Sequence, residues 1–319
     1  MRVYAIDPRL PPGLPKDGRK AVVTIGTFDG VHRGHWEVLS EIRRRAEAVG
    51  GRSVLVTFHP HPLTIVRPES APPMLTTPVE KKEILAESGL DCAVFLTFTP
   101  MLAAYSPRRF VEEILVGRVN VGELVVGYDH HFGKGRQGNV DTLKVLGREL
   151  GFAVDVVGPV ASQGEALSST KIRNALLEGD VETARRGLGR PYSLRGLVVR
   201  GDQRGRTLGF PTANLEVRGG GGGAGGKLIP SPGIYAVRGT VRSATFDGAL
   251  HLGPRPTFRG SPPTIELHLL GFEEDIYGEE VRVDFVKYLR EVLPFETSQA
   301  LVEQMKEDVE RAREALSDG

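Results

Sequence analysis

The sequence is poor in the features that mark secreted, membrane-bound or nucleic-acid-coating proteins. Its 319 residues include a single cysteine, Cys92. One thiol excludes an internal disulfide and any zinc site built on cysteine ligands. It stands in the apolar run CAVFLTF, where a buried structural thiol is expected rather than a nucleophile. No apolar run reaches the length of a membrane span. The opening stretch MRVYAIDPRLPPGLPKDGRK lacks the apolar centre of a secretory signal. Neither sign of charge dominates: 41 Lys and Arg against 40 Asp and Glu leave +1. That balance gives no basis for sequence-independent nucleic-acid binding or a polybasic membrane anchor. A cytoplasmic protein with no nucleic-acid or membrane partner is expected, and its length suits two domains with separate cores.

Apolar strand-like runs recur at 21–25, 53–58, 92–97, 122–127 and 152–157, with helical patterns in most of the gaps. This β-α-β alternation predicts a parallel sheet covered by helices. HWEVLSEIRRRAEAVG predicts an amphipathic helix with Trp36, Leu39, Ile42, Ala46 and Val49 on one face. Thr77-Pro78-Val79-Glu80 and Ser106-Pro107 carry helix-start chemistry. Near Gly189-Arg190-Pro191 the helical spacing stops and short alternating runs begin, among them LRGLVVRG, GIYAVRGTV and TIELHLLGF. These predict an antiparallel barrel or sandwich, with Ser298 to Leu316 as an amphipathic helix against it. The fold class expected is an α/β domain over 1–186 and an all-β barrel with a terminal helix over 187–319. The run GGGGGAGG at 219–226 has strand-like sequence on both sides, so it reads as an expanded loop inside the second domain rather than a linker.

Ligands of parallel sheets sit beyond the carboxyl ends of the strands, and the chemistry-bearing residues follow the predicted strands. TIGTFDGVHRGH, from Thr24 to His35, is strand, glycine-rich turn and helix mouth. Free N–H groups and the helix dipole there suit phosphate. The candidates are Gly26, Thr27, Phe28, Asp29 and Gly34, with His32 and His35 on one side of the first turn to stabilise developing charge. A plain turn with surface histidines is the alternative. After the second run come Phe58, Pro60 and His61, where prolines hold the loop extended and stiff; by itself this reads equally as an ordinary Pro-rich turn with exposed histidines. After the fourth comes a glycine-bounded loop with Asp129, able to bond a hydroxyl or ring N–H; the adjacent His130 and His131 lack the spacing of a helical metal site. After the fifth, Ser168, Ser169, Thr170 and Arg173 open a helix as a cap or a second phosphate site.

In the second half, GDQRGRTLGFPTAN spans Gly201 to Asn214, with Gly205, Gly209 and Thr212 inside it. By itself it reads as a glycine-rich turn before a strand. Glu266 reads as a solvent-facing strand residue.

These motifs together resemble the bifunctional riboflavin kinase/FAD synthetase family. Gly26 to His35 is similar to its G-x-F-D-G-V-H-x-G-H string, Phe58 to Pro62 to T-F-x-P-H-P, and Ser168 to Arg173 to S-S-T-x-I-R. Gly201 to Asn214 resembles G-x-x-x-G-x-x-L-G-x-P-T-A-N, Arg255 to Phe258 the R-P-T-F string, and Glu266 falls at the catalytic Glu of E-x-H-x-L-x-F. The resemblance implies a Rossmann-like nucleotidyltransferase followed by a kinase barrel. It implies riboflavin, FMN, FAD and ATP as substrates and products, and Mg²⁺ held by Thr212 and Asn214. It implies His32, His35 and Glu266 as catalytic residues, and phosphate contacts by the glycines and hydroxyls named above. It implies a flavin pocket lined by Phe58, Pro60, His61 and Asp129. The chain departs from the pattern at His130-His131 and at Arg290 to Pro294. Transfer to another phosphorylated acceptor, and a non-catalytic flavin- or nucleotide-binding regulator, are the competing functional readings.

Overall fold

The computed structural model describes residues 1–7, 13–15, 17–158, 161–162, 165–201, 205, 208–217, 219, 225–254 and 264–317. The chain divides into two compact units, Met1–Ser169 and Thr170–Gly319.

In the first unit, strands β1 (Arg2–Ile6), β2 (Ala21–Ile25), β3 (Arg52–His59), β4 (Cys92–Thr97), β5 (Val121–Gly127) and β6 (Ala153–Val157) form one parallel sheet. Its order is β1-β4-β3-β2-β5-β6. All five residues of β2 are buried, as expected of a central parallel strand covered on both faces. Alternate residues feed two cores. Val23, Ile25, Val54 and Val94 meet Phe110, Ile114 and Leu143 on one face; Val22, Leu55 and Ala93 meet Leu39, Ile42 and Leu85 on the other. Cys92 is buried in the first core.

The helices of this unit are α1 (Arg33–Ala48), α2 (Pro62–Val66), α3 (Pro78–Ala86), α4 (Pro100–Ala103), α5 (Pro107–Phe110), which continues as a π-helical turn to Val116, and α6 (Val140–Leu150). Thr77 and Glu80 form the expected capping box on α3, and Ser106 caps α5. Two details differ from expectation. Val49 lies beyond the end of α1 and is exposed, so the buried stripe ends at Ala46. The edge strand β1 adds to the five expected strands; its half-exposed alternation lacks the continuous apolar signal of its neighbours. From β2 the chain runs out through β3 and β4, then returns to place β5 on the opposite side of β2. The switch point of the sheet is therefore between β2 and β5, and the carboxyl end of β2 is its crevice.

A short hairpin, β7 (Ala161–Ser162) and β8 (Glu165–Ala166), precedes α7 (Ser169–Leu177) and α8 (Val181–Leu188). In the second unit α8 packs against β9 (Tyr192–Val199) and β14 (Glu280–Arg290). With β10 (Ala213–Glu216), β11 (Gly233–Val241), β12 (Ala244–Gly253) and β13 (Thr264–Leu269), these strands close a barrel in the order β10-β13-β12-β11-β14-β9. Strict alternation along β9 sends Tyr192, Leu194 and Val198 inward, where Tyr235 and Phe285 meet edge to face at 5.1 Å between ring centroids. The outer face near Ile234, Ala236 and Ala249 is covered by Ala312 and Leu316 of the C-terminal helix Ser298–Ser317. Most of the run 219–226, the string Arg255 to Phe258 and several residues of 201–214 lie outside the described residues. No helix among the described residues is long and apolar enough to cross a membrane.

A buried ion pair ties the C-terminal helix to β14. Arg290 donates to both carboxylate oxygens of Asp308 at 2.7 and 2.6 Å, and the two side chains are only 13% and 7% exposed. Removing one partner strands the other charge away from water. Asp308→Ala should therefore destabilise the second unit by about 3–5 kcal/mol in denaturant unfolding. A loss below about 1 kcal/mol, the range of exposed pairs, would contradict this account.

Candidate active site

The turn between β2 and α1 is held in a conformation that its sequence does not favour. Phe28, Gly30 and Val31 all have positive φ, at 47°, 81° and 40°. For β-branched Val31 this is strain, which persists only where surrounding contacts over-determine it. Those contacts are present. The buried Asp29 carboxylate accepts from Leu75 N–H at 2.9 Å, Thr76 N–H at 3.1 Å and Thr76 Oγ1 at 3.1 Å. Gly30 N–H donates to Thr76 Oγ1 at 3.2 Å. Ser169 Oγ donates to the Asp29 carbonyl at 2.9 Å, tying a hydroxyl from the distant serine motif to this turn.

His32 and His35 cap α1 reciprocally. His35 N–H donates to His32 Nδ1 at 3.3 Å, and His32 N–H donates to His35 Nδ1 at 3.2 Å. The rings stack with centroids 3.7 Å apart, and Phe28 stacks on His35 at 4.4 Å. Because each Nδ1 accepts a hydrogen bond, each ring carries its hydrogen on Nε2 and presents that N–H as a donor. Burial pushes His35 well below the ordinary imidazole value, and the neighbouring His32 and Lys81 push the same way. Gly26 is close-fitted: a Cβ there would stand 3.1 Å from the Phe28 ring. Gly34 is buried in the first turn of α1.

The Asp29 carboxylate and the Phe28 ring support the turn from within. Thr27 contributes its carbonyl, which accepts from Thr57 Oγ1 at 2.9 Å and from the Lys81 ammonium at 2.7 Å. Lys81 had no sequence signal beyond its place on a capped helix.

The loops after β3 and β5 flank this turn, because those strands flank β2. Phe58 is half-buried and meets Phe98 edge to face at 5.6 Å. The His59–Pro60 peptide is cis. His61 caps α2, its Nδ1 accepting from Leu63 N–H at 3.2 Å. Asp129 is exposed, and its carbonyl lies 2.8 Å from His131 Nδ1. His130 stacks on Phe132, and burial lowers its imidazole to about 4. Ser168 is half-buried just ahead of α7, Thr170 is exposed and Arg173 is buried on that helix.

In the second unit, register brings together residues far apart in sequence. Asn214 on β10 stands directly opposite Glu266 on β13, and Glu266 directly opposite His251 on β12. Directly opposed residues share a face. The row continues to Ile234, which packs under the C-terminal helix, so it lies on the outside of the barrel. Thr264 Oγ1 donates to Glu266 Oε1 at 2.9 Å. Gly201 and Gly205 leave room for the donors beside them: a Cβ at 201 would stand 2.3 Å from Asn214 Nδ2, and one at 205 would stand 3.0 Å from Thr212 Oγ1. Gly209 has a φ of 84° and leads the chain into Pro211 and Thr212.

The FAD synthetase family matches residues 14–171, and the riboflavin kinase family matches residues 188–316. A bifunctional riboflavin kinase/FMN adenylyltransferase of Bacillus subtilis (strain 168) is 34% identical over 94% of this chain and 93% of its own length. One from Pseudomonas fluorescens is 37% identical over 94% of each. The chain belongs to the bifunctional riboflavin kinase/FMN adenylyltransferase family. A crystal structure described as a macrolide-efflux protein from Streptococcus pneumoniae is 29% identical, covers 98% of this chain and 99% of its own, and superposes with a TM-score of 0.85.

In this family member two histidines of the first unit, His35 and His130, are held neutral by burial. The unfolded chain takes up these protons near the ordinary value of 6.5, and the folded unit resists them. The unfolded state thus binds more protons below that value, so folded stability falls with pH. Their contribution is complete above about 6.5 and is lost progressively toward about 4, the folded value of His130. Thermal melts of the first unit should drop between about pH 7.5 and about pH 5, and His130→Gln should flatten that slope. A melting temperature constant over this range would contradict it.

Proposed function

We propose that this chain makes FAD from riboflavin in two steps at two separate sites. The second unit phosphorylates riboflavin with ATP to give FMN and ADP. The first joins FMN to AMP from a second ATP, releasing pyrophosphate. The observation that carries this reading is a pair of unlike constellations on one chain. One is the stacked His32–His35 pair at a strained helix mouth; the other is Asn214 opposite Glu266 on the barrel. We assign the adenylyltransferase domain to 1–186 and the kinase domain to 187–319, in a cytoplasmic setting that suits a reduced, buried Cys92.

The two sites answer different chemical demands. The riboflavin 5′-hydroxyl is protonated at neutral pH, so its attack on the γ-phosphorus of ATP calls for a base. Glu266 takes that proton as the O–P bond forms and ADP leaves. The Thr264 hydroxyl, bonded to Glu266 Oε1, orients the carboxylate. The FMN phosphate is already ionised, so its oxygen attacks the α-phosphorus of ATP with no base, and pyrophosphate departs. This site needs positioning and anion stabilisation, supplied by Nε2–H of His32 and His35 and by N–H groups at the helix mouth. Ser168 and Ser169 add hydroxyls for the triphosphate, and Phe58, Pro60, His61 and Asp129 line the flavin.

Mg²⁺ would be held at the kinase site by Thr212 and Asn214, whose neutral side-chain oxygens lie beside glycines 201 and 205. The ion, when bound, neutralises phosphate charge and aligns the transferring group.

Incubation with riboflavin, ATP and Mg²⁺, with flavins separated over time, tests both steps. Replacing His32 and His35 together with Ala should abolish FAD formation and spare FMN formation; equal loss of both would contradict separate sites. Glu266→Gln should slow FMN formation by about 100-fold or more while added FMN is still adenylylated. Normal kinase turnover in that variant would remove Glu266 as the base.

A further inference from the structure

The reaction described above leaves the buried charge of Lys81 unused. Lys81 on α3 is 8% exposed, and among the described residues no carboxylate lies within ion-pair distance of it. Its ammonium has three donors, and one of them meets the Thr27 carbonyl at 2.7 Å. Burying an ammonium against a single neutral acceptor is unfavourable, so its position calls for a reason. The carbonyl it holds belongs to the residue immediately before the strained segment Phe28–Val31. In a planar trans peptide the C=O of one residue and the N–H of the next point in opposite directions. Drawing the Thr27 carbonyl toward Lys81 and Thr57 therefore turns the Phe28 N–H the other way.

We propose that Lys81 is a positioning residue for adenylyl transfer: it fixes the Thr27–Phe28 peptide so that the strained turn offers the Phe28 N–H to nucleotide phosphate, and it keeps cationic charge beneath that turn. The inference rests on the reading of this turn as the ATP phosphate site. The charge has a second consequence. Burial lowers both His35 and His59, and Lys81 lowers each further; Lys82 adds to the effect at His59, and His32 to that at His35. Burial also lowers Lys81 itself, and Asp29 opposes that. A neutral His35 matters because its Nδ1 must stay an acceptor for the His32 N–H.

Removing the charge lets His35 protonate at a higher pH, which breaks the reciprocal cap. In Lys81→Met, FAD formation from FMN should fall roughly tenfold or more, and the acid limb of its pH–rate profile should move to higher pH. Lys81→Arg should hold the limb where the unaltered protein has it. Phosphorylation of riboflavin, measured on the same preparations, should be unchanged and reports that the chain is intact. Should Lys81→Met melt below the assay temperature, Lys81→Gln replaces it in the comparison with Lys81→Arg. An unmoved limb in the neutral variant, or the same displacement in the arginine variant, overturns the proposal. Normal FAD formation by the His32, His35 double variant would instead sink the underlying reading of the site. Loss in that variant with an unmoved limb in Lys81→Met removes Lys81's role alone.

Discussion

Asp29 gives its carboxylate to the backbone and hydroxyl of residues 75 and 76 in the interior, and the turn beside it keeps its shape for that reason. Hydrogen bonds to a charged acceptor are worth about 1.5–3 kcal/mol each, against about 1–3 kcal/mol for each residue held in a sparsely populated backbone region. The two sides are of the same order, so no single contact stabilises the turn. Asp29, the Thr76 hydroxyl, Ser169 and the donors on Thr27 act jointly. A loop relaxed by the loss of one of them would keep its sequence motif and lose the direction of its N–H groups.

The local parts of this architecture were legible in the sequence, because they rest on neighbours. Capping boxes, the apolar period of α1 and the buried runs of the parallel sheet all depend on spacings of two to four residues. The closeness of His32 and His35 is of the same kind. What escaped was set by contacts across long separations. Asp29 looks like a phosphate-loop residue until the 75–76 segment is in place. Lys81 looks like an exposed position on a capped helix until the Thr27 carbonyl lies above it. The end of the α1 stripe was misplaced by one turn because Val49 continues the helical period after the helix itself has ended.

The barrel shows the same limit more sharply. Nothing near Glu266 marks it as more than a solvent-facing strand residue, and its row with Asn214 and His251 exists only through the register of three antiparallel strands. A slip of one residue would turn Glu266 into the barrel and Leu267 out of it. The buried side chains of Leu267 and Leu269 therefore fix the face that carries Glu266 as firmly as any polar contact does.

The two units also differ in what they do with a carboxylate, and the difference follows from the nucleophile each must handle. Beside the His32–His35 pair the nearby carboxylate, Asp29, is buried and committed to the 75–76 segment, while each ring accepts a hydrogen bond at Nδ1 and has Nε2 as donor. Such a site supplies hydrogen-bond donors to an anion, which is what an already ionised phosphate nucleophile and a departing pyrophosphate require. On the barrel, Glu266 is partly exposed and oriented by a hydroxyl, with the neutral carboxamide of Asn214 opposite it. That arrangement leaves a carboxylate able to accept a proton from an alcohol. One chain can thus carry phosphorylation and adenylylation in turn, because the first reaction produces the charge that the second begins with.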